Sequence, residues 1–192
     1  MTPLHEVIIN KKTTINPIWI MRQAGRYLPE FREIRKLNTD FIKLCLNENL
    51  ASEITLQPLK RFEFDAAIIF SDILMVPYAL GQKITFIKDQ GPKLSRFDQE
   101  LFLDNDEKSF TEKLNPVYKA IEITRKNLEK DKSLIAFVGA PWTLLVYMLS
   151  LKKSKTEIDF IKLDKEKTNI SKILNRLIKF LCIHIKNQIN AG

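Results

Sequence analysis

The sequence is short of the residues that staple or cage a fold. Among its 192 residues there are 2 cysteines, Cys45 and Cys182, and 2 histidines, His5 and His184. Two thiols so far apart give no disulfide framework and no metal-ligand spacing, and they read as reduced thiols of a cytosolic protein. One histidine lies in an unpatterned terminus and the other on the last expected helix. Neither a histidine-based triad nor a metal centre is expected, and no serine or cysteine has an evident activating partner. With 5 glycines and 8 prolines the chain is neither fibrous nor disordered. The opening MTPLHEVIINKKTTIN lacks the apolar run of ~7–15 residues that a secretory signal needs, so secretion is not expected. No GxGxxG or Walker loop follows any expected strand, which disfavours a nucleotide fold.

What is present suits one globular domain with a real core: 45% apolar and 28% charged residues at an ordinary domain length. The formal net charge is +8, but bases and acids interleave, as in KLDKEK and RKNLEKDK. No zinc-finger, RNP or helix-turn-helix signature organises them, so nucleic acid is not an expected partner. Such charge reads as a solvated surface, compatible with an acidic ligand. Residues 133–151, SLIAFVGAPWTLLVYMLSL, carry no charge, and a run of ~18 apolar residues can mark a spanning helix. Gly139-Ala140-Pro141 divides the run, which reads instead as a buried strand, a turn and a helix start. No membrane association is expected.

One plan occurs three times: a short apolar strand, a polar loop, then helical pattern. The strands are expected over 18–21 (IWIM), 66–70 (AAIIF) and 134–138 (LIAFV). A helical stretch follows the first, with Phe41, Leu44, Cys45, Ile54, Leu56 and Leu59 as its apolar positions. A hairpin is expected over 83–93, closed by Gly91-Pro92, and a helix over about 110–130. An amphipathic helix is expected over 168–190. Alternating strand and helix predicts a parallel α/β sheet. A complete (β/α)8 TIM barrel takes eight strands and ~250 residues. With three strands, residues 1–192 read as the N-terminal portion of one such barrel domain.

Three polar clusters follow the three strand ends, the functional edge of α/β folds. The first is Arg22-Gln23-Ala24-Gly25-Arg26, with Arg32 and Arg35 shortly after. Arginine presents a planar fork of donors suited to carboxylate or phosphate, and Gly25 allows close backbone approach or an unusual turn. On PEFREIRK, Arg32 and Arg35 read equally as surface partners of Glu30 and Glu33. The second cluster is Ser71-Asp72. An ionised Asp72 only accepts hydrogen bonds, so it suits N–H groups or a developing cation, or else a helix cap or an arginine. The third is GAPWTLLVYM, with Trp142 and Tyr147, aromatics that position alone assigns to core. Together these residues point to an electrostatic site for a poly-acidic ligand, without metal.

PIWIMRQAGRYLPEFREIR, LASEITLQPLKRFEFDAAIIFSDILMVPYALG and FVGAPWTLLVYM closely resemble the uroporphyrinogen decarboxylase family, in family order from Pro17 onward. The resemblance implies a (β/α)8 barrel, usually a homodimer, in the cytosolic haem pathway. It implies removal of CO2 from the four acetate side chains of uroporphyrinogen to give coproporphyrinogen, without cofactor or metal. It implies that Arg22 and Arg26 bind substrate carboxylates, with Gln23, Ala24 and Gly25 completing the loop. Asp72 is implied to accept the pyrrole N–H groups, with Tyr147, Phe31 and Arg35 as further pocket positions. Asp72 would then stabilise the cationic ring formed on protonation, while Arg22 or Arg26 orients the departing carboxylate. The departure from the family is length. Its members run on for well over a hundred residues, through a pocket serine and a histidine for which His184 is not the counterpart. A truncated inactive remnant, and a half-barrel needing a separate C-terminal partner, are therefore the alternatives. The related zinc-dependent corrinoid methyltransferases need a His/Cys metal site that this sequence does not supply. An unclosed sheet predicts that the chain alone aggregates or folds poorly.

Overall fold

The computed structural model describes residues 1–87, 91–151, 157–159 and 167–192. Its elements run α1 (Pro3–Ile8), α2 (Pro29–Leu37), α3 (Phe41–Cys45), α4 (Glu48–Leu56), a 3-10 turn (Pro58–Lys60), β1 (Ala66–Ile68) and α5 (Met75–Ala79). They continue through β2 (Ile84–Ile87), β3 (Gly91–Leu94), α6 (Gln99–Asp104), α7 (Glu107–Asn127), β4 (Ser133–Ile135), α8 (Pro141–Met148) and α9 (Lys167–Ala191). Many starts are written locally. Asp40, Asn47 and Asp98 accept the N–H of the residue three positions on, and Pro29 and Pro141 occupy first-turn positions where no N–H is needed.

The chain divides into two compact units. The first comprises Met1–Ser71, Pro116–Phe137 and Gln188–Gly192; the second comprises Asp72–Asn115 and Val138–Asn187. In the first, β1 and β4 pair in parallel, Ala66 opposite Ser133 and Ile68 opposite Ile135. Asp65 extends this ladder at one end, accepting from the Ser133 N–H at 3.0 Å, and Ile69 extends it at the other, donating to the Ile135 carbonyl at 3.0 Å. Leu28, Phe31, Leu44 and Ile54 form a buried cluster against which Ala24, Ile34, Leu50 and Phe70 pack. In the second unit, β2 and β3 form an antiparallel hairpin in which Thr85 opposes Lys93 and Phe86 opposes Pro92. The Phe110 and Phe180 rings lie 4.8 Å apart between α7 and α9.

The architecture is mixed α/β with a parallel pair, as the alternation predicts. The long helices fall where expected, at Glu107–Asn127 and Lys167–Ala191. The uncharged run over 133–151 resolves into β4, a turn and α8; among the described residues no helix is long and apolar enough to cross a membrane. Gly91-Pro92 opens the return strand β3, and residues 88–90, which join it to β2, lie outside the described residues. The first expected strand is corrected. Residues 18–21 are not a strand, because little of their backbone is paired. The Asp65 N–H donates to the Ile18 carbonyl at 2.8 Å, while the Ile18 N–H goes to the Asp65 carboxylate at 2.7 Å. The next β1 acceptor, the Ala66 carbonyl, takes the side-chain amide of Gln23 at 3.0 Å.

Candidate functional site

Residues 20–28 of the first unit form a loop held from within. Gln23 is 1% exposed. Its Nε2 donates to Ala66 O, its Oε1 accepts the Ile20 N–H at 3.2 Å, and its backbone carbonyl accepts the Tyr27 hydroxyl. From α2, Arg32 Nη1 reaches the carbonyls of Arg26 at 2.9 Å and Tyr27 at 3.1 Å. Glu30 is taken by Arg61 through two bonds of 2.7 and 2.9 Å, which lowers the Glu30 carboxyl below its usual range and leaves Arg32 free for the loop. On this braced backbone Arg22 and Arg26 are exposed, and among the described residues neither meets a carboxylate within ion-pair distance.

The other members of the first cluster lie differently. Ala24 packs against the buried cluster. Gly25 does not adopt a positive φ, and a Cβ there would meet only the Tyr27 ring, at 3.8 Å. The backbone does not require this glycine, so what it leaves is open space beside the arginines. Phe31 is 6% exposed and meets Phe70 edge-on at 5.9 Å. Arg35 closes the C-terminus of α2, donating to Asn38 O at 2.5 Å and Thr39 O at 3.3 Å and lying 5.7 Å over the Phe41 ring. The protein itself thus engages Gln23, Phe31 and Arg35.

In the second unit, Asp72 opens an Asx turn: its Oδ1 accepts the Leu74 N–H at 2.8 Å and its carbonyl accepts the Met75 N–H at 3.1 Å. Oδ2 accepts no hydrogen bond from a described residue. Burial pushes the carboxyl above its ordinary range, and the Leu74 bond opposes this without cancelling it. Gly139, in the loop after β4, fits closely here. A Cβ on it would stand 2.8 Å from Leu144 Cδ2 and 3.1 Å from Ile73 Cβ, so only glycine lets the Asp72 loop and α8 approach. The second and third clusters are brought together in this way. Tyr147, on α8, is half-buried and Trp142 is exposed. His184 is buried among the helices of this unit, where desolvation pushes its pKa down to about 4.

Sequence reasoning missed Thr55 and Asp65. Thr55 Oγ1 donates to Ala51 O at 2.7 Å and accepts the Phe70 N–H at 2.8 Å, fixing the backbone two residues before Asp72. A hydroxyl in a helix gives no sequence signal for this, since its partner lies 15 positions away. Thr55→Val is expected to cost about 1–3 kcal/mol by leaving the Phe70 N–H unpaired, readable as a lower midpoint in urea. An unchanged midpoint would show that the hydroxyl carries no such role.

The parallel pair β1–β4, each strand followed in the chain by a polar loop, defines an α/β architecture. A solved structure titled as a methyltransferase from Methanosarcina mazei shares the fold, with a TM-score of 0.74 at 15% identity over 99% of this chain and 55% of that one. The uroporphyrinogen decarboxylase (URO-D) family profile matches residues 1–192, and the chain belongs to that family. It is 44% identical to the uroporphyrinogen decarboxylase of Orientia tsutsugamushi (strain Ikeda), over 100% of this chain and 56% of that protein. Against the uroporphyrinogen decarboxylase of Campylobacter jejuni (strain RM1221) it is 42% identical over 97% and 56%. Against that of Rickettsia canadensis (strain McKiel) it is 43% identical over 92% and 52%. The chain spans about half the length of the curated relatives it matches.

Proposed function

We propose that this chain carries the carboxylate-binding loop and the acceptor aspartate of a uroporphyrinogen decarboxylase. In this reading it is the opening part of a (β/α)8 barrel that removes CO2 from the four acetate groups of uroporphyrinogen. Family membership supplies the reaction. The observation that carries the reading is the division of labour in the loop: Gln23 and Arg32 hold its backbone, leaving Arg22 and Arg26 exposed, with no carboxylate partner among the described residues. Two exposed guanidinium forks on a fixed loop suit a ligand with several carboxylates.

The reaction follows from where charge must go. Protonating a pyrrole carbon makes the ring cationic. The electrons of the breaking C–C bond then flow into that ring as CO2 leaves. The resulting exocyclic methylene takes up a proton, and the ring proton departs, leaving a methyl group. Asp72 accepts from pyrrole N–H groups and stabilises the cation as it develops; because it is half-buried, water screens that interaction poorly. Arg22 or Arg26 orients the departing carboxylate and stands in the proton path. Tyr147 is assigned to the pocket with Asp72. By the same family resemblance the complete enzyme is assigned to the cytosol, as a homodimer that needs no cofactor.

Fluorescence titration with the octacarboxylate porphyrin tests the binding half of this reading. Arg22→Gln and Arg26→Gln are each expected to weaken binding about ten- to a hundredfold, the loss of one charge-assisted contact of about 1.5–3 kcal/mol. Lysine at either position is expected to restore only part of it. Unchanged affinity in both glutamine variants would overturn the assignment.

The second reading, a half-barrel completed by a separate chain, is favoured by one feature. Ile18, Ile20 and Met21 are 58%, 54% and 72% exposed, an apolar stretch suited to cover by a neighbouring strand. Peptide mapping in the source cells separates the two: peptides running past Gly192 favour the continuous enzyme, and a complementary C-terminal polypeptide favours the half-barrel.

A further inference from the structure

The two exposed arginines of the loop are anchored separately. Arg22 precedes Gln23, whose buried amide bonds Ala66 O of β1 at 3.0 Å and the Ile20 N–H at 3.2 Å. Arg26 is held from outside the loop. Its main-chain carbonyl accepts from Arg32 Nη1 at 2.9 Å, and the same nitrogen reaches the Tyr27 carbonyl at 3.1 Å. Arg32 is the fourth residue of α2. Helical side chains lean toward the N-terminus, so this one leans back over the residues that lead into the helix. A cation there opposes the helix dipole, which favours acids near the first turn. Glu30 does not offset it as an ion-pair partner, because Arg61 takes both Glu30 oxygens, at 2.7 and 2.9 Å. The two loop carbonyls do so instead. The start of α2 is itself fixed, by that Glu30–Arg61 pair and by Phe31 in the buried cluster.

We propose that Arg32 is the positioning residue of Arg26. It fixes two consecutive peptide planes, Arg26–Tyr27 and Tyr27–Leu28, and so sets the direction in which the Arg26 side chain leaves the backbone. Ordering that backbone before a ligand arrives removes part of the cost of binding. The inference rests on the reading of Arg26 as a carboxylate contact and adds the residue through which that contact is aimed. Arg32 acts on the loop rather than on the ligand, since Nη1 is already spent on two main-chain carbonyls. Both bonds come from a single nitrogen, so a lysine ammonium can replace them in part.

The test is a double-mutant cycle on the full 192-residue chain, read by fluorescence titration with the octacarboxylate porphyrin. Arg32→Met keeps an unbranched stem and removes the donors. It is expected to weaken binding about three- to tenfold, the scale of an exposed hydrogen-bonded contact. In the Arg26→Gln background the same substitution is expected to change affinity less than about twofold, because the side chain it positions is gone. Arg32→Lys is expected to restore most of the affinity. Equal losses in both backgrounds would mean that Arg32 meets the ligand itself or merely supports the fold, and would overturn the proposal. So would unchanged affinity in Arg32→Met where Arg26→Gln weakens binding. A ligand-free measurement separates this proposal from the reading beneath it. Trypsin cuts after Arg26 at the carbonyl that Arg32 holds. Arg32→Met is expected to speed that cleavage about three- to tenfold relative to the bond after the exposed Lys108 of the same chain. Equal acceleration at both bonds, or none after Arg26, would overturn the positioning role whatever the titration shows. Faster cleavage after Arg26, with unchanged affinity in Arg26→Gln, would keep that role and overturn the ligand reading instead.

Discussion

Asp72→Asn is expected to lower turnover of the active decarboxylase by about a hundred- to a thousandfold, the scale for losing one preorganised group aimed at developing charge. Substrate affinity is expected to change far less, because the substrate's carboxylates keep their charge-assisted contacts to the loop arginines. The same substitution is expected to make the protein more stable at neutral pH. Asn keeps an oxygen for the Leu74 N–H and removes a charge that the fold desolvates. The sign follows from the upward shift of the Asp72 pKa. A carboxyl whose pKa is raised on folding contributes stability fully below its unfolded pKa, and loses that contribution as pH rises through the folded value. The gain from Asn is therefore largest above the folded pKa and fades as the pH is lowered toward the unfolded value of about 3.9. For a chain of this size each kcal/mol corresponds to about 2–4 °C in Tm. Parallel melts and rate measurements at neutral and acid pH check both halves. Near-normal turnover in Asp72→Asn would remove Asp72 from the chemistry. A fall in Tm at neutral pH would show that the carboxylate is held by a favourable partner.

Much of this arrangement was legible in the sequence because apolar periodicity and polar punctuation are local. The alternation over 66–135 announced β1 and β4, and the spacing of Leu114, Val117 and Ile121 announced α7. The exposed arginines could be singled out because they flank a run of small residues. What could not be read is what each polar side chain already touches. Gln23 has the composition of a ligand contact, yet its amide completes the β1 backbone through Ala66 O. Arg35 looks like Arg22 in sequence, yet its charge is spent on the carbonyls that end α2. The strand expected over 18–21 failed for a related reason. Hydrophobicity shows that a segment could pair, but pairing needs a neighbour, and here the neighbouring groups go to the Asp65 and Gln23 side chains. Gly25 and Gly139 show the same limit. Both sit in polar loops, but only coordinates reveal that a Cβ fits at the first and collides at the second.

Phe31→Ala is the second large expected effect, and it separates packing from substrate contact. Phe31 closes the cluster of Leu28, Leu44 and Ile54 and meets Phe70 edge-on, so truncation leaves a cavity where α2 turns back from the arginine loop. The expected cost is about 3–5 kcal/mol, a fall in Tm of more than about 6 °C. Phe31→Leu keeps most of the volume and is expected to cost about 1–2 kcal/mol. A residue that acts through packing predicts a correlated pattern. Ala lowers Tm and loosens porphyrin binding together, because the loop bearing Arg22 and Arg26 loses its support, while Leu leaves binding near normal at temperatures where it is folded. A residue that lines the ligand pocket predicts the opposite split, with affinity lost in both variants and Tm barely moved in either. The contrast extends to the loop itself. Arg22→Gln removes a charge from an exposed position and is expected to leave stability within about 0.5 kcal/mol of the parent while binding falls. Loop arginines that change affinity without stability, beside a phenylalanine that changes stability first, would show a recognition surface carried on a core built separately from it.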